Sequence, residues 1–401
     1  MQDDKTRKRS SRQMMVLIAA LIILASGVIL KFLNIQAVYD LPWILVIAGA
    51  IAAVYAVIRL YTKKEVVVED DSGKGLKDFL LNNVLMLALF IMIIAIAVSN
   101  PRFLQFRVVR DILTQSSSRI IIGLGMSLLI IQGSIDLSAG RQIGVAAVLS
   151  GSMVQTADFA NRFWPNLPQL PIIIPALIAI AFCMVVGFLN GFMIAKLKML
   201  PFISTLSIQI MLYGMANLYM NKKPNLSQPL GGFRKDFTAL GQKLLFGRVP
   251  VVIIYAAIAI LIIWFVLNYT VFGKNLYAIG GNQQAAHVSG VNVASMTIKV
   301  FVIASAMFAI GGIIEAARTS GATATYGQNY ELDAIAASVV GGVSMSGGIG
   351  KVSGIISGVF IFTIISYGLT FIGLDPNWQT VLKGLIIAAT VAMDVTKNSK
   401  K

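Results

Sequence analysis

Residues that carry covalent chemistry in enzymes are scarce in this sequence. Its one histidine, His287, and one cysteine, Cys183, form no metal-ligand cluster with the scattered acids. The nearest approach to a phosphate-binding P-loop is Gly350-Lys351, which fails because position 345 is Met and position 352 is Val. The sequence also lacks the Gly-x-Ser-x-Gly and His-Glu-x-x-His motifs. We therefore expect no catalytic residues, metal or cofactor, and the chain is not expected to be an enzyme.

Two sets of neutral polar residues have the spacing of a helix face. They are Thr205, Gln209, Tyr213 and Asn217, followed later by Thr363, Ser366, Tyr367 and Thr370. Hydrogen-bonding groups beside aromatic rings suit a polyol or sugar, whereas a cation path would more often show acids. The same residue types join helices to one another within membranes. A substrate pathway and helix packing therefore both remain open for these two faces.

Polar residues interrupt the apolar sequence at Gly133–Arg141. Asp136 and Ser138 are suited to capping a helix that begins near Ala139, and glycines such as Gly140 permit a tight reversal. Irregular backbone at membrane depth is tolerated only inside protein or beside water. A capped hairpin and a gate are the two alternatives for this segment.

A second acidic segment begins at Glu331 and Asp333 and continues into the glycine-rich stretch Gly341–Gly348. The two acids fall at a predicted helix N-terminus, where the helix dipole favours negative charge. Capping and a gate role are again the alternatives. Glu315 and Arg318, three residues apart near the end of an apolar run, are expected to form an internal salt bridge.

The loop Asn268–Thr297 contains one predicted short helix. Asn282 can cap Gln283–Val288, and Gly290 can end it. A short surface helix can insert into a groove on a soluble partner, or it can be a connector lying on the membrane. His287 is expected to be a surface contact.

The composition is that of an integral membrane protein. Of 401 residues, 57% are hydrophobic and 12% charged, where soluble domains average about 25% charged. Mean hydropathy is +0.80. This excludes a soluble globular protein, a disordered chain and a disulfide-stapled domain. Because the basic residues lie mainly between apolar runs, the net charge of +16 indicates membrane orientation and contact with anionic lipid, not nucleic acid.

A helix needs roughly 20 apolar residues to cross the hydrocarbon core, and twelve runs are candidates. They are Met14–Leu33, Leu41–Tyr61, Leu80–Val98, Ile120–Ile135, Ile143–Gln155, Ile172–Ala195, Phe202–Met220, Val251–Leu267, Ile298–Ala317, Leu332–Val343, Val352–Ile372 and Val381–Met393. The predicted fold is an all-α, polytopic membrane bundle. Residues 1–79 form an extension with two helices and a charged linker, and residues 80–401 form a core of ten.

Basic residues cluster before the first run and after the last, so both termini are predicted to be cytoplasmic. A cleaved signal peptide is disfavoured because the first run is long and a second follows within about ten residues. The loop Asn221–Arg248 does not fit this orientation. It is basic, as cytoplasmic loops usually are, but this topology places it on the outer side of the membrane.

Five ordered segments together resemble the permease subunits of ATP-binding cassette importers for monosaccharides, the ribose/xylose/galactose branch. They are Gly133–Arg141, Asn190–Leu197, Pro201–Leu206, Phe272–Gly290 and Tyr330–Gly350. The resemblance covers residues 80 to 396. Two further stretches, Arg141–Ala147 and Tyr367–Gly373 with Asn377-Trp378-Gln379, are most similar to the galactose/methyl-galactoside type.

The resemblance implies a membrane permease with partners. Those partners are an ATP-binding cassette ATPase that hydrolyses ATP, an extracytoplasmic sugar-binding protein, membrane lipid and a second permease subunit. A homodimer of two identical permease chains is expected. In related importers the loop at this place carries a coupling helix that docks on the ATPase. The residues implied in coupling are Gly273, Asn275, Gly281, Asn282, Ala285, Ala286, Ser289 and Gly290.

The resemblance also implies a bacterial inner-membrane location and alternating access. The binding protein would dock on the outer loops, including Asn221–Arg248. Residues 1–79 depart from the family pattern. Alternatives are another monosaccharide, ribose or xylose, an ion-coupled transporter using Asp136, Glu331 or Asp333, and, more weakly, a membrane-bound enzyme.

Overall fold

The computed structural model describes residues 93, 94, 96, 100–247 and 249–398. The predicted spans 14–33 and 41–61, the extension 1–79 and most of the span 80–98 lie outside these residues. The described part of the chain contains twelve α-helices, a short 3-10 helix at Pro101–Leu104 and one two-stranded antiparallel ribbon.

The elements follow one another with short connections. The first six helices are α1 Phe106–Ile131, α2 Ala139–Met153, α3 Ile173–Ala195, α4 Pro201–Met220, α5 Lys235–Gln242 and, after the ribbon β1 Leu244–Leu245 and β2 Val249–Pro250, α6 Val252–Tyr269. The others are α7 Val271–Gly281, α8 Gln283–Val288, α9 Val293–Thr319, α10 Tyr330–Val340, α11 Val352–Phe371 and α12 Pro376–Asn398.

The prediction of an all-α membrane bundle is confirmed for the described residues. Five helices are long and apolar enough to cross a membrane, namely α1, α3, α6, α9 and α11. Helices α2, α4, α10 and α12 coincide with the remaining predicted spans that fall in the described part. The two shortest of these, α2 and α10, are rich in small residues, which suits helices packed inside a membrane bundle.

The structure corrects the sequence prediction at two helices, the first in its bounds and the second in its existence. Helix α1 begins at Phe106, not Ile120, and ends at Ile131. Its first turns are polar, and Thr114 and Ser117 donate hydrogen bonds to carbonyls four residues earlier, so hydropathy missed them. Helix α7 was assigned to a loop; the Thr270 hydroxyl accepts from the Gly273 amide at 3.2 Å and caps it.

The described residues divide into two compact units. The larger is Val109–Thr363, and its centre is α9. Gly187 and Gly191 of α3 let the helices approach closely, since a Cβ on Gly187 would lie 2.6 Å from the Phe301 carbonyl oxygen, and one on Gly191 would lie 2.7 Å from the Ile298 Cα. Backbone-to-backbone contact of this kind drives helix association where no hydrophobic difference from lipid exists.

The other unit contains the described residues up to Val108 and those from Ile364 onward. Phe103 packs edge-on against Phe371, with ring centroids 5.3 Å apart. Helix α12 starts with proline at its first position, and the Asp375 carboxylate accepts from the Asn377 amide at 2.8 Å. This capping arrangement, acid then proline, fixes the start of the helix.

We expect Gly187→Leu to destabilise the bundle, because its side chain would enter the α3–α9 contact. Overpacking of this kind costs about 1–3 kcal/mol, measured as a lower midpoint of thermal unfolding in detergent. Gly214→Ala is the matched control, since a Cβ there meets no described atom within 4 Å outside its own helix. It should be neutral or stabilising by up to about 1 kcal/mol. Equal midpoints for the two variants would contradict this packing.

Candidate functional site

Three segments of the sequence meet at one place in the larger unit, namely the α1–α2 turn, the end of α7 and the α10–α11 turn. Gly347 lies in the α10–α11 turn with φ of +84°, and a Cβ there would lie 2.7 Å from the Gly280 carbonyl oxygen and 3.2 Å from the Gly133 Cα. The Gly348 amide donates to the Ile131 carbonyl at 2.8 Å. We call Gly133, Gly280, Gly347 and Gly348 the glycine junction.

The glycine junction joins α7 to the turns on either side of it. The Tyr277 hydroxyl of α7 donates to the Gly350 carbonyl at 2.7 Å. A Cβ on Gly280 would lie 2.5 Å from the Gly348 amide nitrogen and would also meet the Ile131 carbonyl. At the other end of α7, Gly273 is buried against the last turn of α6. Helix α7 therefore contacts these turns directly, with no side chain between the backbones at Gly280.

Helix α8 follows directly and has the predicted bounds. The Asn282 carboxamide oxygen accepts from the Ala285 amide at 2.9 Å, and Gly290 has φ of +85°, as the predicted cap and stop require. Ala286 is buried against Ile279 and Met296. The rest of the short helix is exposed, and Val288 is 86% exposed. The helix thus presents a surface away from the bundle.

The residues implied in coupling divide by exposure. Gly281, Asn282, Ala285, Ser289 and Gly290 are exposed, Asn275 is half-buried, and Gly273 and Ala286 are buried. The exposed five are available to a partner. The buried two hold the segment against the bundle.

A buried polar network fixes the α1–α2 turn. The Asp136 carboxylate accepts from the Ser138 amide at 2.8 Å, from the Ser138 hydroxyl at 2.5 Å and from the Gln142 carboxamide at 3.0 Å. The Asn190 carboxamide of α3 donates to the Ser138 hydroxyl oxygen at 3.0 Å. All four side chains are fully buried. The network ties the turn to α3, as expected of buried polar groups that must find partners.

Helix α2 begins at Ala139 as predicted, but the predicted capping by Ser138 was wrong. Its side chain accepts no hydrogen bond from the helix amides, and its backbone is already helical. The reason is that the Ser138 hydroxyl oxygen already accepts from the Gln142 and Asn190 carboxamides, both at 3.0 Å, while its hydroxyl donates to Asp136.

Glu331 and Asp333 lie in the first turn of α10, as predicted. Glu331 is 5% exposed and packs on the backbone of Gly140, where any side chain would collide with its carboxylate. Gly140 is thus required for α2 to approach the α9–α10 connection. The predicted salt bridge is also present, with Arg318 2.7 Å from Glu315.

The two polar helix faces differ in how many of their polar side chains form hydrogen bonds within the chain. On α4, the Thr205 hydroxyl donates to the Pro201 carbonyl at 2.9 Å and the Asn217 carboxamide to the Tyr213 carbonyl at 2.8 Å. Gln209 is half-buried and Tyr213 is 44% exposed.

On α11, the hydroxyls of Thr363 and Ser366 are buried and have no hydrogen-bond partner among the described residues. Thr370 donates to the Ser366 carbonyl at 2.9 Å, and Tyr367 stacks on Phe371 with centroids 6.2 Å apart. Thr363 also lines a small cavity with Arg119, Tyr330 and Asp333. Unpaired hydroxyls of this kind call for water or a ligand.

Sequence reasoning missed the contributions of Gln142, Asn190 and Tyr277. Gln142 reaches Asp136 and Ser138 from the next turn of α2, whereas Asn190 meets Ser138 only through the fold. Tyr277 lies in α7, which was not predicted. One signal in the sequence could have identified Gln142 and Asn190. Both are amides among apolar residues, where burial without a hydrogen bond costs free energy, so each is expected to have a polar partner.

The fold defines a multi-pass membrane protein whose helices pack through glycines. The described part of the chain contains no group of three or more metal-ligating residues. The chain belongs to the family of transport-system permeases described as the branched-chain amino acid transport system permease component, whose model matches residues 108–391. As a member of this family it is a transporter component and not a catalytic enzyme.

Several curated proteins are similar over most of the chain. The galactose/methyl galactoside import permease MglC of Haemophilus influenzae is 46% identical over 81% of this chain and 97% of its own length. The MglC protein of Escherichia coli is 43% identical over 82% and 98%. The ribose import permease RbsC of Bacillus subtilis is 35% identical over 78% and 92%. No solved structure matches the chain.

We expect Gly280→Ala to disrupt the glycine junction, because its Cβ would collide with the Ile131 carbonyl and the Gly348 amide. Hydrogen exchange of the 341–351 turn should accelerate, since the hydrogen bond from the Gly348 amide to Ile131 would break. Gly281→Ala is the control, as a Cβ there meets no described atom within 4 Å. Unchanged exchange in Gly280→Ala would show that the junction is not closely packed.

Proposed function

We propose that this chain is the permease subunit of an ATP-driven importer that carries galactose or methyl galactoside. The observation that carries the proposal is similarity to named galactose/methyl galactoside import permeases, 43–46% identical over about four fifths of the chain. The ribose import permeases are less similar, at 31–35% identity. Ribose by the same mechanism is therefore the second candidate.

The ATPase is proposed to dock on the exposed surface of α8. Asn282, Ala285 and Val288 are exposed there, while Ala286 anchors the helix to the bundle. A short helix that is capped at both ends suits insertion into a groove. The glycine junction then carries movement of α7 and α8 to the α1–α2 and α10–α11 turns, which supports a coupling role.

The loop Asn221–Arg248 is proposed to face the extracytoplasmic side and receive the sugar-binding protein. Lys222, Lys223, Lys235 and Lys243 are exposed in it, which favours an acidic partner surface. The Lys222 ammonium lies 3.6 Å from the Trp164 ring centroid. Hydrogen bonds from Arg234 hold the pKa of Asp236 below its ordinary value, so that acid stays ionised and paired with Arg234. The exposed lysines therefore supply the positive charge of this loop.

A second copy of the chain is proposed to complete the pathway, giving a homodimeric permease. Tyr213, Gln209 and Asn217 stand on an α4 face that is not fully covered within one chain. Polar side chains in a membrane face protein or water and avoid lipid. A water-filled pathway between two copies would meet that requirement, with the α11 hydroxyls of Thr363 and Ser366 as further candidates.

The chain is proposed to lie in the bacterial inner membrane, in contact with lipid, with both termini in the cytoplasm and without nucleic acid as a partner. An ion-coupled transporter is disfavoured by the hydrogen bonding of Asp136. Its carboxylate already accepts three hydrogen bonds, so less of it is available to bind and release an ion.

The transport proposal predicts that proteoliposomes containing the permease and its ATPase, with the binding protein outside, accumulate labelled galactose only when ATP is supplied inside. Uptake should be unaffected by collapsing ion gradients with ionophores. Uptake that persists without ATP and stops with the ionophores would instead establish an ion-coupled transporter. Competition by unlabelled ribose would test the second candidate sugar.

The docking proposal predicts that Gly281→Trp or Ala285→Trp prevents co-purification of the ATPase. Both positions are exposed, and a Cβ on Gly281 meets no described atom within 4 Å, so the permease should retain its unfolding midpoint. Gly231→Trp is the matched control, because its Cβ is equally unhindered but it lies in the Asn221–Arg248 loop. Normal ATPase assembly in both α8 variants would reject this surface.

A further inference from the structure

Arg141 is an unusual residue for its position. It is the third residue of α2, and its guanidinium carbon lies 4.6 Å from the centroid of the Tyr213 ring on α4. Its Nη1 atom is buried and has no hydrogen-bond partner among the described residues. An arginine carries five N–H donors and remains charged, so a buried donor without a partner needs an occupant.

The position lies within the bundle and away from its end. Ser138, just before α2, receives a hydrogen bond from Asn190. Asn190 stands five residues before Ala195, the last residue of α3. With a rise of about 1.5 Å per residue, the start of α2 lies roughly 8 Å inside the end of α3. A charge at such depth marks a functional position by default.

The charges nearest to Arg141 do not neutralise it by direct contact. Glu331 packs on the adjacent Gly140 backbone, and Asp136 is held by Ser138 and Gln142. Arg141 forms no ion pair within 4.0 Å with any described residue. The donors of Arg141 are thus left for a neutral hydrogen-bonding ligand or for water.

Tyr213 supplies the complementary surface. The guanidinium covers one side of its ring, and the residue is still 44% exposed. Gln209 and Asn217 lie one turn before and one turn after it on the same helix face. The group therefore combines an open aromatic surface, an arginine with unused donors and two amide side chains.

We propose that Arg141 and Tyr213 form a sugar subsite on the transport path, in which a neutral monosaccharide places its C–H face on the Tyr213 ring and its hydroxyls on the Arg141 guanidinium. This rests on the proposed function and deepens it by naming a contact for the substrate. An arginine fork matches two adjacent hydroxyl oxygens, and its charge is tolerated because the aromatic face stabilises it. The subsite binds weakly, so that the sugar can leave again.

The test is saturation-transfer NMR on the full-length permease in nanodiscs, with D-galactose at millimolar concentration and no binding protein. Wild-type protein should transfer saturation to the sugar ring protons. Tyr213→Leu and Arg141→Gln should weaken the apparent affinity about fivefold, the size expected for loss of one aromatic contact. Tyr213→Phe retains the ring and should bind like wild type. Met211→Leu, an exposed neighbour on α4, is the control.

Each outcome decides the proposal. An apparent affinity about fivefold weaker in both Tyr213→Leu and Arg141→Gln, with unfolding midpoints unchanged, supports it. Equal signal in wild type and these two variants overturns it, as does absence of signal from wild type that transports galactose. If Arg141→Gln does not fold, Arg141→Lys, which keeps charge but loses the planar fork, replaces it and should also weaken binding. Failure of wild-type uptake in proteoliposomes would instead reject the proposed function, whatever the NMR shows.

Discussion

Direct contact between backbones is the constraint on which this bundle depends. In lipid, apolar side chains gain little by leaving the hydrocarbon, so helices associate through close packing and hydrogen bonds. Gly187 and Gly191 bring α3 onto α9, and the glycine junction brings α7 onto the turns beside it. The same device thus packs the helices of the bundle and joins the turns at its edge. Side chains at these positions would separate the elements and let them move independently.

The polar groups are arranged around this framework. Asp136, Ser138, Gln142 and Asn190 hydrogen-bond to one another in the interior. The Gln142 Oε1 atom and the Arg141 Nη1 atom are buried and have no hydrogen-bond partner among the described residues. Arg141 differs from this network because it carries a charge and its guanidinium lies against the Tyr213 ring.

Much of the fold was predictable because the relevant signal was local. Apolar runs located the membrane helices, and the Asn282 cap with Gly290 located α8 to the residue. Helix α7 is short and rich in glycine, and the first turns of α1 are polar, so neither has the long apolar run that located the other helices. The hydrogen bond from Asn190 to Ser138 and the meeting of Gly133, Gly280 and Gly347 join residues far apart in sequence. Such meetings follow from topology, which periodicity does not encode.

The α3–α9 contact has a consequence for biosynthesis. Gly187 cannot find its partners around Phe301 until helices α4 to α8 have been made. At about 5–20 residues per second, that interval is on the order of ten seconds. During it, α3 must wait in the membrane with its glycine face unpartnered and open to insertase, lipid or quality-control protease. Premature termination before α9 should therefore leave a fragment that the cell recognises as incomplete.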